Sequence, residues 1–575
     1  MALIYQGTKI SPGLGMGQAR VVEKLRLEPP AERPRDPEQE LLRFRQCYDA
    51  AEEDLRKTVQ EAQEKLGGHE AEILDAQLTL LQDEYAVLEP IQEAIRDEGL
   101  NMAQAIDKVL GGIVELFQQA ADEYMRLRAG DAEDVRKRLL MRALGVTPRD
   151  YSVLPAGTIL VAEELTPSDT IRMDLAHVSG IVTSRGGYYS HVGIISRNLG
   201  IPSVCGVPEA AEDGDTVLVD GEKGVVTVNP DEAELALFSE RRREAEAEKQ
   251  QLDVFRTVPS RTLDGEAGLI CGNIGTAAEA QAALDAGAEG IGLLRSEFLY
   301  MDQPALPDEE TQFQAYRQVL ETMGGRPVII RTLDVGGDKA IPALPMEREE
   351  NPFLGCRAIR LCLERRELFR VQLRALLRAG SYGDLKIMFP MISTLGELRS
   401  AKAMLEEARK ELLREGVPVR KVPVGIMVEV PAAAVIADCL AREADFFSIG
   451  TNDLIQYTMA AERGNPSVDH LYSPYDPAVL RLIAMTAGAA ERAGILCGMC
   501  GEAAADPELL PIFWGMGVRE LSMSPGAIIR SRAVLANWRA EDCRSLAEQV
   551  LLCGSRQEVQ DILARTNGQQ NARQV

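Results

Sequence analysis

The sequence has a deficit of positive charge. It contains 63 lysines and arginines against 89 aspartates and glutamates, which leaves a net charge of −26 with histidine neutral. Such an acidic chain repels a phosphate backbone, so we expect no nucleic-acid partner, whereas a basic protein partner would be attracted. Any anionic substrate must therefore be held by a local group of cations that works against the overall field.

Long hydrophobic runs are also missing. No stretch reaches about 18 uninterrupted apolar residues, the length needed to cross a bilayer, and the chain opens with neither a basic segment nor a long apolar run. The ten cysteines stand singly apart from Cys497 and Cys500, a pattern that favours free thiols over a disulfide framework in a large chain. We therefore expect a cytoplasmic protein with no direct membrane insertion.

The composition changes several times along the 575 residues, which are enough for about three to four folding units. Residues 1–22 and 146–230 have strand-like runs and glycine turns, and we expect them to form one α/β domain. Between them, residues 23–145 carry apolar side chains at helical spacing, which predicts an inserted bundle of about four helices with a break near residue 67. Residues 231–261 are polar, with opposite charges at helical spacing, and predict a linker helix.

Eight short apolar runs recur beyond residue 262, and helical segments separate most of them. This alternation over residues 262–575 predicts a (β/α)8 TIM barrel at the C-terminal end of a multidomain α/β and α protein. The runs are Leu269–Cys271, Ile291–Leu294, Val328–Ile330, Ile387–Phe389, Gly425–Val428, Phe446–Ile449, Leu496–Met499 and Glu520–Met523.

Charged and polar residues stand at the ends of the predicted barrel strands, where barrel enzymes carry their chemistry. Guanidinium groups bind phosphate and carboxylate oxygens in bidentate fashion. Two carboxylates suit Mg²⁺, which keeps its other positions for water and substrate oxygens, and a thiol in such a pocket can act as a general acid. We therefore expect a site for a small phosphorylated carboxylic acid, although structural ion pairs around the rim are the alternative. The residues are Arg295, Arg331, Glu429, Asn452, Asp453, Arg463 and Cys500.

One histidine stands in a setting that favours chemistry. His191 ends the glycine-rich turn 186–191, which leads into a predicted helix start. Exposed amides at a helix N-terminus attract an anion, so a neutral imidazole there is a candidate nucleophile for a phosphoryl group. We expect the other three histidines, His69, His177 and His470, to have structural or solvent-facing roles.

Long motifs occur in a fixed order along nearly the whole chain. They are Ser11-Pro12-Gly13, Leu165–Ser168, Gly186–His191, Arg331–Lys339, Asn351–Gly355, Gly450–Leu454 and Gly498–Glu502. In this order they resemble enzyme I of the bacterial sugar phosphotransferase system, the family of phosphoenolpyruvate–protein phosphotransferases. The resemblance implies that His191 takes a phosphoryl group from phosphoenolpyruvate at Nε2, with release of pyruvate. The group would then pass to HPr, a small phosphocarrier protein, as the first step of sugar uptake.

The resemblance also implies roles for the domains and for the barrel residues. The α/β domain would swivel with its phosphohistidine, HPr would dock on the helical bundle 23–145, and the barrel would form a homodimer. Mg²⁺ would be bound by Glu429 and Asp453, and Cys500 would protonate the enolpyruvate. The residues that would bind the substrate are Arg295, Arg331, Asn452, Asp453 and Arg463. The residues that would support them are Lys339, Arg357 and Thr170.

The chain departs from the family around the histidine. Tyr188 and Tyr189 stand where the family usually has a basic residue and a threonine, and Val192 follows His191 where a hydroxyl residue is common. Two alternatives follow: a divergent paralogue that binds phosphoenolpyruvate or HPr as a regulator, and a dikinase-like enzyme that uses phosphoenolpyruvate. The second needs a further nucleotide-binding domain, and no glycine-rich nucleotide loop precedes His191.

Overall fold

The computed structural model divides the chain into two compact units, Met1–Glu246 and Ala247–Val575. It describes residues 2–22, 27–34, 36–65, 68–119, 123–146, 151, 153–165, 169–170, 173–187, 190–208, 211–301, 305–337, 341, 343–344, 346, 349–463, 465 and 467–574. All ten cysteines are free thiols. None of the helices in these residues is long and apolar enough to span a membrane.

An eight-stranded sheet in the first unit takes its strands from two separate parts of the sequence. These are β1 (Leu3–Gln6), β2 (Thr8–Ser11), β3 (Leu14–Val21), β4 (Thr158–Ala162), β5 (Val178–Thr183), β6 (Ser203–Cys205), β7 (Thr216–Asp220) and β8 (Val225–Val228). The sheet order is β1-β8-β7-β3-β4-β5-β6-β2, with β3 parallel to β4 and antiparallel to β7. The predicted pairing of the two strand-rich segments in one α/β fold is therefore confirmed.

The helices between β3 and β4 form a bundle with its own core. They are α1 (Pro37–Lys65), α2 (Gly68–Leu81), α3 (Glu89–Arg96), α4 (Met102–Gln118) and α5 (Glu123–Leu144). The described part of the bundle has five α-helices rather than about four because local capping divides the middle of the segment. The Asp83 carboxylate accepts hydrogen bonds from two amides and begins a π-helical turn, Glu84–Leu88, which continues directly into α3 at Glu89.

Two α-helices whose bounds the structure describes lie in the rest of the first unit and at its boundary. The helix α6 (His191–Leu199) lies between β5 and β6, and α7 (Glu232–Asp253) follows β8. Most of the polar segment 231–261, predicted as a linker helix, is thus helical. Arg241 of α7 pairs with Asp220 at 2.8 Å.

The second unit contains a closed barrel of eight parallel strands, as predicted. Its strands are β9 (Leu269–Ile274), β10 (Ile291–Arg295), β11 (Pro327–Arg331), β12 (Asp384–Phe389), β13 (Val424–Val428), β14 (Phe446–Ile449), β15 (Leu496–Met499) and β16 (Glu520–Met523). Each of the eight apolar runs lies within one of these strands. The α-helices are α8 (Glu279–Asp285), α9 (Glu309–Met323), α10 (Ile359–Glu364), α11 (Arg366–Ala379), α12 (Leu395–Arg414), α13 (Pro431–Val435), α14 (Ala437–Leu440), α15 (Thr451–Met459), α16 (Pro477–Ala493), α17 (Leu510–Gly515), α18 (Ile528–Ala536), α19 (Ala540–Leu551) and α20 (Arg556–Gln574).

Candidate active site at the barrel mouth

The predicted barrel residues lie at the carboxyl ends of the parallel strands. Arg295 and Arg331 are the last residues of β10 and β11, and Glu429 and Cys500 directly follow β13 and β15. Asn452 and Asp453 belong to the first turn of α15, which begins two residues after β14. Because all strands run in the same direction, these residues share one rim of the barrel.

Two buried arginines and their carboxylate partners form the centre of this rim, here called the arginine–carboxylate cluster. Arg331 pairs with Glu297 and, at 3.0 Å, with Asp334. Arg357 pairs with the same Asp334 at 2.9 Å and approaches Asp453 at 3.6 Å. Buried guanidinium groups require such partners because an uncompensated buried charge is strongly destabilising. Burial alone would lower the pKa of Arg331, but the carboxylates of Glu297 and Asp334 outweigh it and raise that pKa.

Glu429 adds a further carboxylate beside the cluster. Its side chain is buried, and its Oε1 accepts a hydrogen bond from the Met391 amide at 2.6 Å. Burial raises the pKa of Glu429, and the charges of Asp453 and Asp334 raise it further. Within the described parts of the chain, no three histidine, cysteine or acidic side chains come together as a metal-binding group. Of the neighbouring charges, that of Asp453 raises the pKa of Glu429 most.

Cys500 is buried on the inner side of the barrel. It packs with Leu293, Ile329, Met388 and other residues of the interior cluster. Its thiol lies 3.8 Å from the carbonyl oxygen of Ile449. Burial raises the pKa of this thiol to about 11, and the Arg331 charge offsets part of that effect. The side chain is therefore a protonated thiol at neutral pH.

The loop that presents Arg357 depends on a glycine. Gly336 has a φ of +107°, and a Cβ built there would lie 2.5 Å from the Cβ of Arg357. The Ala358 amide donates to the Val335 carbonyl at 2.9 Å, which joins the two loop segments. Tyr457 completes the support, since its hydroxyl donates to the Phe353 carbonyl and accepts from Arg357 at 3.3 Å.

Asn452 and Arg463 belong to a second, more exposed group. The Asn452 amide donates to Glu502 at 3.1 Å and accepts from the Glu502 backbone at 3.2 Å. Arg463 lies 3.9 Å from the same carboxylate, and both of these side chains are exposed. Arg295 is also exposed. The structure thus joins Arg331, Glu429, Asp453 and Cys500 around one buried centre, with Arg295 and Arg463 outside it.

Sequence reasoning assigned no role to three carboxylates of this rim. Glu297 and Asp334 pair with Arg331, and Glu502 links Asn452 to Arg463. Asp334 and Glu502 lie inside the motifs quoted above, and a buried arginine at a strand end requires an acid nearby. This requirement could have pointed to Glu297 and Asp334 from the sequence alone.

In the α/β fold, the candidate nucleophile stands at a capped helix start. His191 is the first residue of α6, and Ser190 is the N-cap. The Ser190 hydroxyl accepts from the Gly193 amide at 3.3 Å and donates to the Gly187 carbonyl at 2.7 Å. Ser190 thereby fixes the turn so that the first amides of α6 point out of the helix end.

The remaining predicted residues fall in different settings. Thr170 is buried in the α/β fold, and Val192, which follows His191, is buried as well. Lys339, Tyr188 and Tyr189 lie outside the described residues, as does the side chain of His191.

Comparison with known proteins identifies three matched regions. Residues 6–128 match "PEP-utilising enzyme, N-terminal", residues 154–224 match "PEP-utilising enzyme, mobile domain", and residues 249–540 match "PEP-utilising enzyme, PEP-binding domain". The last of these regions covers the barrel strands and the residues of its rim.

Curated relatives match over nearly the whole chain. The phosphoenolpyruvate-protein phosphotransferases of Bacillus sp. (strain S) and of Geobacillus stearothermophilus are each 46% identical, with 97% of both chains covered. That of Staphylococcus carnosus is 42% identical over 98% of this chain and 99% of its own. The chain therefore belongs to the phosphoenolpyruvate-protein phosphotransferases, a family of phosphoenolpyruvate-utilising transferases.

Proposed function

We propose that this protein transfers the phosphoryl group of phosphoenolpyruvate to its own His191 and then to an HPr-type phosphocarrier. The observation that carries this proposal is the arginine–carboxylate cluster beside a buried thiol, at the carboxyl ends of the barrel strands. Such a site offers cations for a phosphate, carboxylates for a metal and a proton donor for the product. A binding protein needs the cations but has no use for the proton donor.

In this proposal the barrel binds and activates the substrate. Arg331 neutralises charge on the phosphate, and the exposed Arg295 and Arg463 close over it from the rim. Asn452 and Asp453 support the same bound group. Of the supporting residues, Arg357 is assigned to the phosphate side because it adjoins both Asp334 and Asp453, and Lys339 is proposed to assist it.

The carboxylates fit a magnesium ion. Glu429 and Asp453 supply hard oxygen ligands, and their mutual repulsion, which helps raise the pKa of Glu429, is the kind that a cation relieves. Mg²⁺ is commonly held by one or two protein carboxylates together with substrate phosphate oxygens. When bound, it would stabilise negative charge on the transferring phosphoryl group.

The reaction then consists of one transfer and one protonation. Nε2 of neutral His191 attacks phosphorus, and the bond from phosphorus to the enol oxygen breaks. The electron pair of that bond forms the ketone, and the terminal carbon takes a proton from the Cys500 thiol to give pyruvate. The thiolate regains its proton from solvent. Thr170 is proposed to orient the His191 imidazole. The capped start of α6 then stabilises the phosphoryl group bound to His191.

Delivery to the carrier follows from the same proposal. The α/β domain swivels between the barrel and HPr docked on residues 23–145. The transfer to HPr is proposed as the first step of sugar uptake, and the protein is proposed to act in the cytoplasm. The acidic net charge of −26 favours a basic partner. The barrel is proposed to form a homodimer, which sedimentation of the full chain tests.

Labelling with phosphoenolpyruvate tests the function. The full chain is incubated with ³²P-phosphoenolpyruvate and Mg²⁺, and we expect an acid-labile, base-stable phosphoprotein. His191→Ala should lose the label. His177→Ala is the matched control because His177 is an exposed histidine of the same α/β fold, bonded to Asp174 at 2.6 Å, and it should keep the label. An unlabelled wild-type chain that still binds phosphoenolpyruvate would support the regulator instead. Labelling from ATP would support a dikinase-like enzyme.

A further inference from the structure

A buried amide lies behind the arginine–carboxylate cluster and contacts two of its loops. Gln372 belongs to α11 and is 1% exposed. Its Oε1 accepts a hydrogen bond from the Leu333 amide at 2.9 Å. Its Nε2 donates to the Ser296 hydroxyl at 3.0 Å and to the Tyr316 hydroxyl at 3.1 Å. Because a backbone N–H can only donate, the Leu333 contact fixes which way the Gln372 amide faces.

The two loop contacts of Gln372 flank the residues of the cluster. Ser296 lies between Arg295 and Glu297, at the end of β10. Leu333 directly precedes Asp334, in the loop that follows Arg331. A single side chain therefore joins the loop that carries Glu297 to the loop that carries Asp334, and both carboxylates pair with Arg331.

Backbone hydrogen bonds attach the Arg331 loop to other parts of the barrel. The Thr332 amide donates to the Met388 carbonyl at 3.0 Å, and the Ala358 amide donates to the Val335 carbonyl at 2.9 Å. These bonds attach the loop to β12 and to the segment of Arg357. Neither reaches the residues after β10. The β10–β11 ladder ends at Arg295 and Arg331, and beyond it Gln372 joins Ser296 to Leu333.

Burying the Gln372 amide costs free energy that burying an apolar side chain would not. A buried polar group is unfavourable unless its hydrogen bonds are made. Gln372 makes three, and an apolar residue in its place would leave the buried Leu333 amide without this acceptor. The arrangement is therefore specific to a side chain with one acceptor and two donor hydrogens.

We propose that Gln372 is a positioning residue for phosphoenolpyruvate binding. It acts through Ser296 and Leu333 and holds Glu297 and Asp334 so that the Arg331 guanidinium keeps one orientation toward the substrate phosphate. This inference rests on the proposed function, since it assigns Arg331 to that phosphate. Without Gln372 the two loops lose the side chain that joins Ser296 to Leu333.

A second buried glutamine supplies a matched control. Gln312 of α9 is fully buried and belongs to the same hydrogen-bond chain. Its Oε1 accepts from the Tyr300 and Tyr316 hydroxyls, at 2.9 and 3.3 Å, and its Nε2 donates to the Pro307 carbonyl at 3.0 Å. None of these partners belongs to the cluster. Gln372→Met and Gln312→Met therefore remove comparable buried hydrogen bonds, but only the first removes contacts to the site.

Steady-state kinetics of the full chain with phosphoenolpyruvate and Mg²⁺ tests the proposal. We expect Gln372→Met to lower kcat/KM for phosphoenolpyruvate by about 10- to 100-fold, mainly through KM, as is typical when a side chain that orients a binding group is lost. Gln312→Met should lower the melting temperature by a similar amount and leave kcat/KM within about threefold of wild type.

A double-mutant cycle with Ser296→Ala separates positioning from general destabilisation. If Gln372 acts through Ser296, the double variant should lose less than the product of the two single losses. Equal losses in Gln372→Met and Gln312→Met would overturn the proposal, as would fully multiplicative effects in the cycle. If Gln372→Met does not fold, Ser296→Ala alone must raise KM. A wild-type chain that takes no label from phosphoenolpyruvate would instead refute the proposed function.

Discussion

Burial determines which protonation state Cys500 presents to a substrate. Its pKa of about 11 lies above the ordinary value of 9.0 because the thiol is removed from water. An acid with a raised pKa keeps its proton to higher pH, so Cys500 stays a thiol across the neutral and mildly alkaline range. Loss of the proton donor should therefore occur near pH 11 and not near pH 9.

Replacement of Cys500 tests its role as the proton donor. We expect Cys500→Ala to bind phosphoenolpyruvate normally but to release pyruvate about 10²- to 10⁴-fold more slowly, the range for loss of a general acid. Cys497→Ala is the control, since that buried thiol packs in the main core of the barrel unit rather than in the interior cluster. Calorimetric binding and a pyruvate assay measure the two effects. Unchanged pyruvate release from Cys500→Ala would remove this thiol from the mechanism.

Arg331 illustrates what residue patterns predict and what they omit. Its place at a strand end followed from the apolar run Val328–Ile330, because the residue after such a run lies at the barrel rim. Its pairing with Glu297 and Asp334 did not follow. These contacts depend on the paths of two loops, which the spacing of residues along the sequence does not specify.

The regular elements were more predictable than the connections between them. All eight barrel strands were found because a strand buried on both faces is a continuous apolar run. The helical bundle was predicted with about four helices, and its described residues form five. The difference arises at Asp83, whose carboxylate caps a new helical start in a segment of otherwise uniformly helical composition.

The loops after β14 and β15 approach each other at Gly501. A Cβ built on Gly501 would lie 1.7 Å from the Thr451 hydroxyl oxygen and 2.6 Å from the Thr451 amide nitrogen. Thr451 is the first residue of α15, which carries Asn452 and Asp453. Any side chain at position 501 must therefore displace the start of that helix and the proposed substrate ligands with it.

Gly501→Ala should damage both the site and the fold. We expect kcat/KM for phosphoenolpyruvate to fall by about 100-fold, since a displacement of about 1 Å is enough for such a loss. The free energy of unfolding should fall by about 1–3 kcal/mol from overpacking. Gly526→Ala is the matched control in the loop after β16, where nothing lies within 4 Å of the added carbon. Wild-type kinetics in Gly501→Ala would contradict this account of the helix start.

Over the whole chain, the apolar residues form separate cores in the two units. The first unit contains the bundle core around Phe44 and the cores of its sheet. The second contains the large barrel core, which includes Phe389, and the interior cluster. Each unit buries enough apolar surface to unfold as a cooperative body, so a single two-state description does not suit the chain.

Scanning calorimetry should therefore resolve two transitions. Phosphoenolpyruvate with Mg²⁺ should raise the transition temperature of the barrel unit only, because a ligand stabilises the unit that binds it. At a concentration 100 times Kd the free energy of unfolding of that unit should rise by about 2.7 kcal/mol. Phe44→Ala and Phe389→Ala form a matched pair, as both side chains are fully buried. Each substitution should lower the free energy of unfolding of its own unit by about 3–5 kcal/mol. The transition temperature of the other unit should stay unchanged. A single transition that moves as a whole in both variants would mean that the two cores unfold together, and the ligand would then raise the stability of the entire chain.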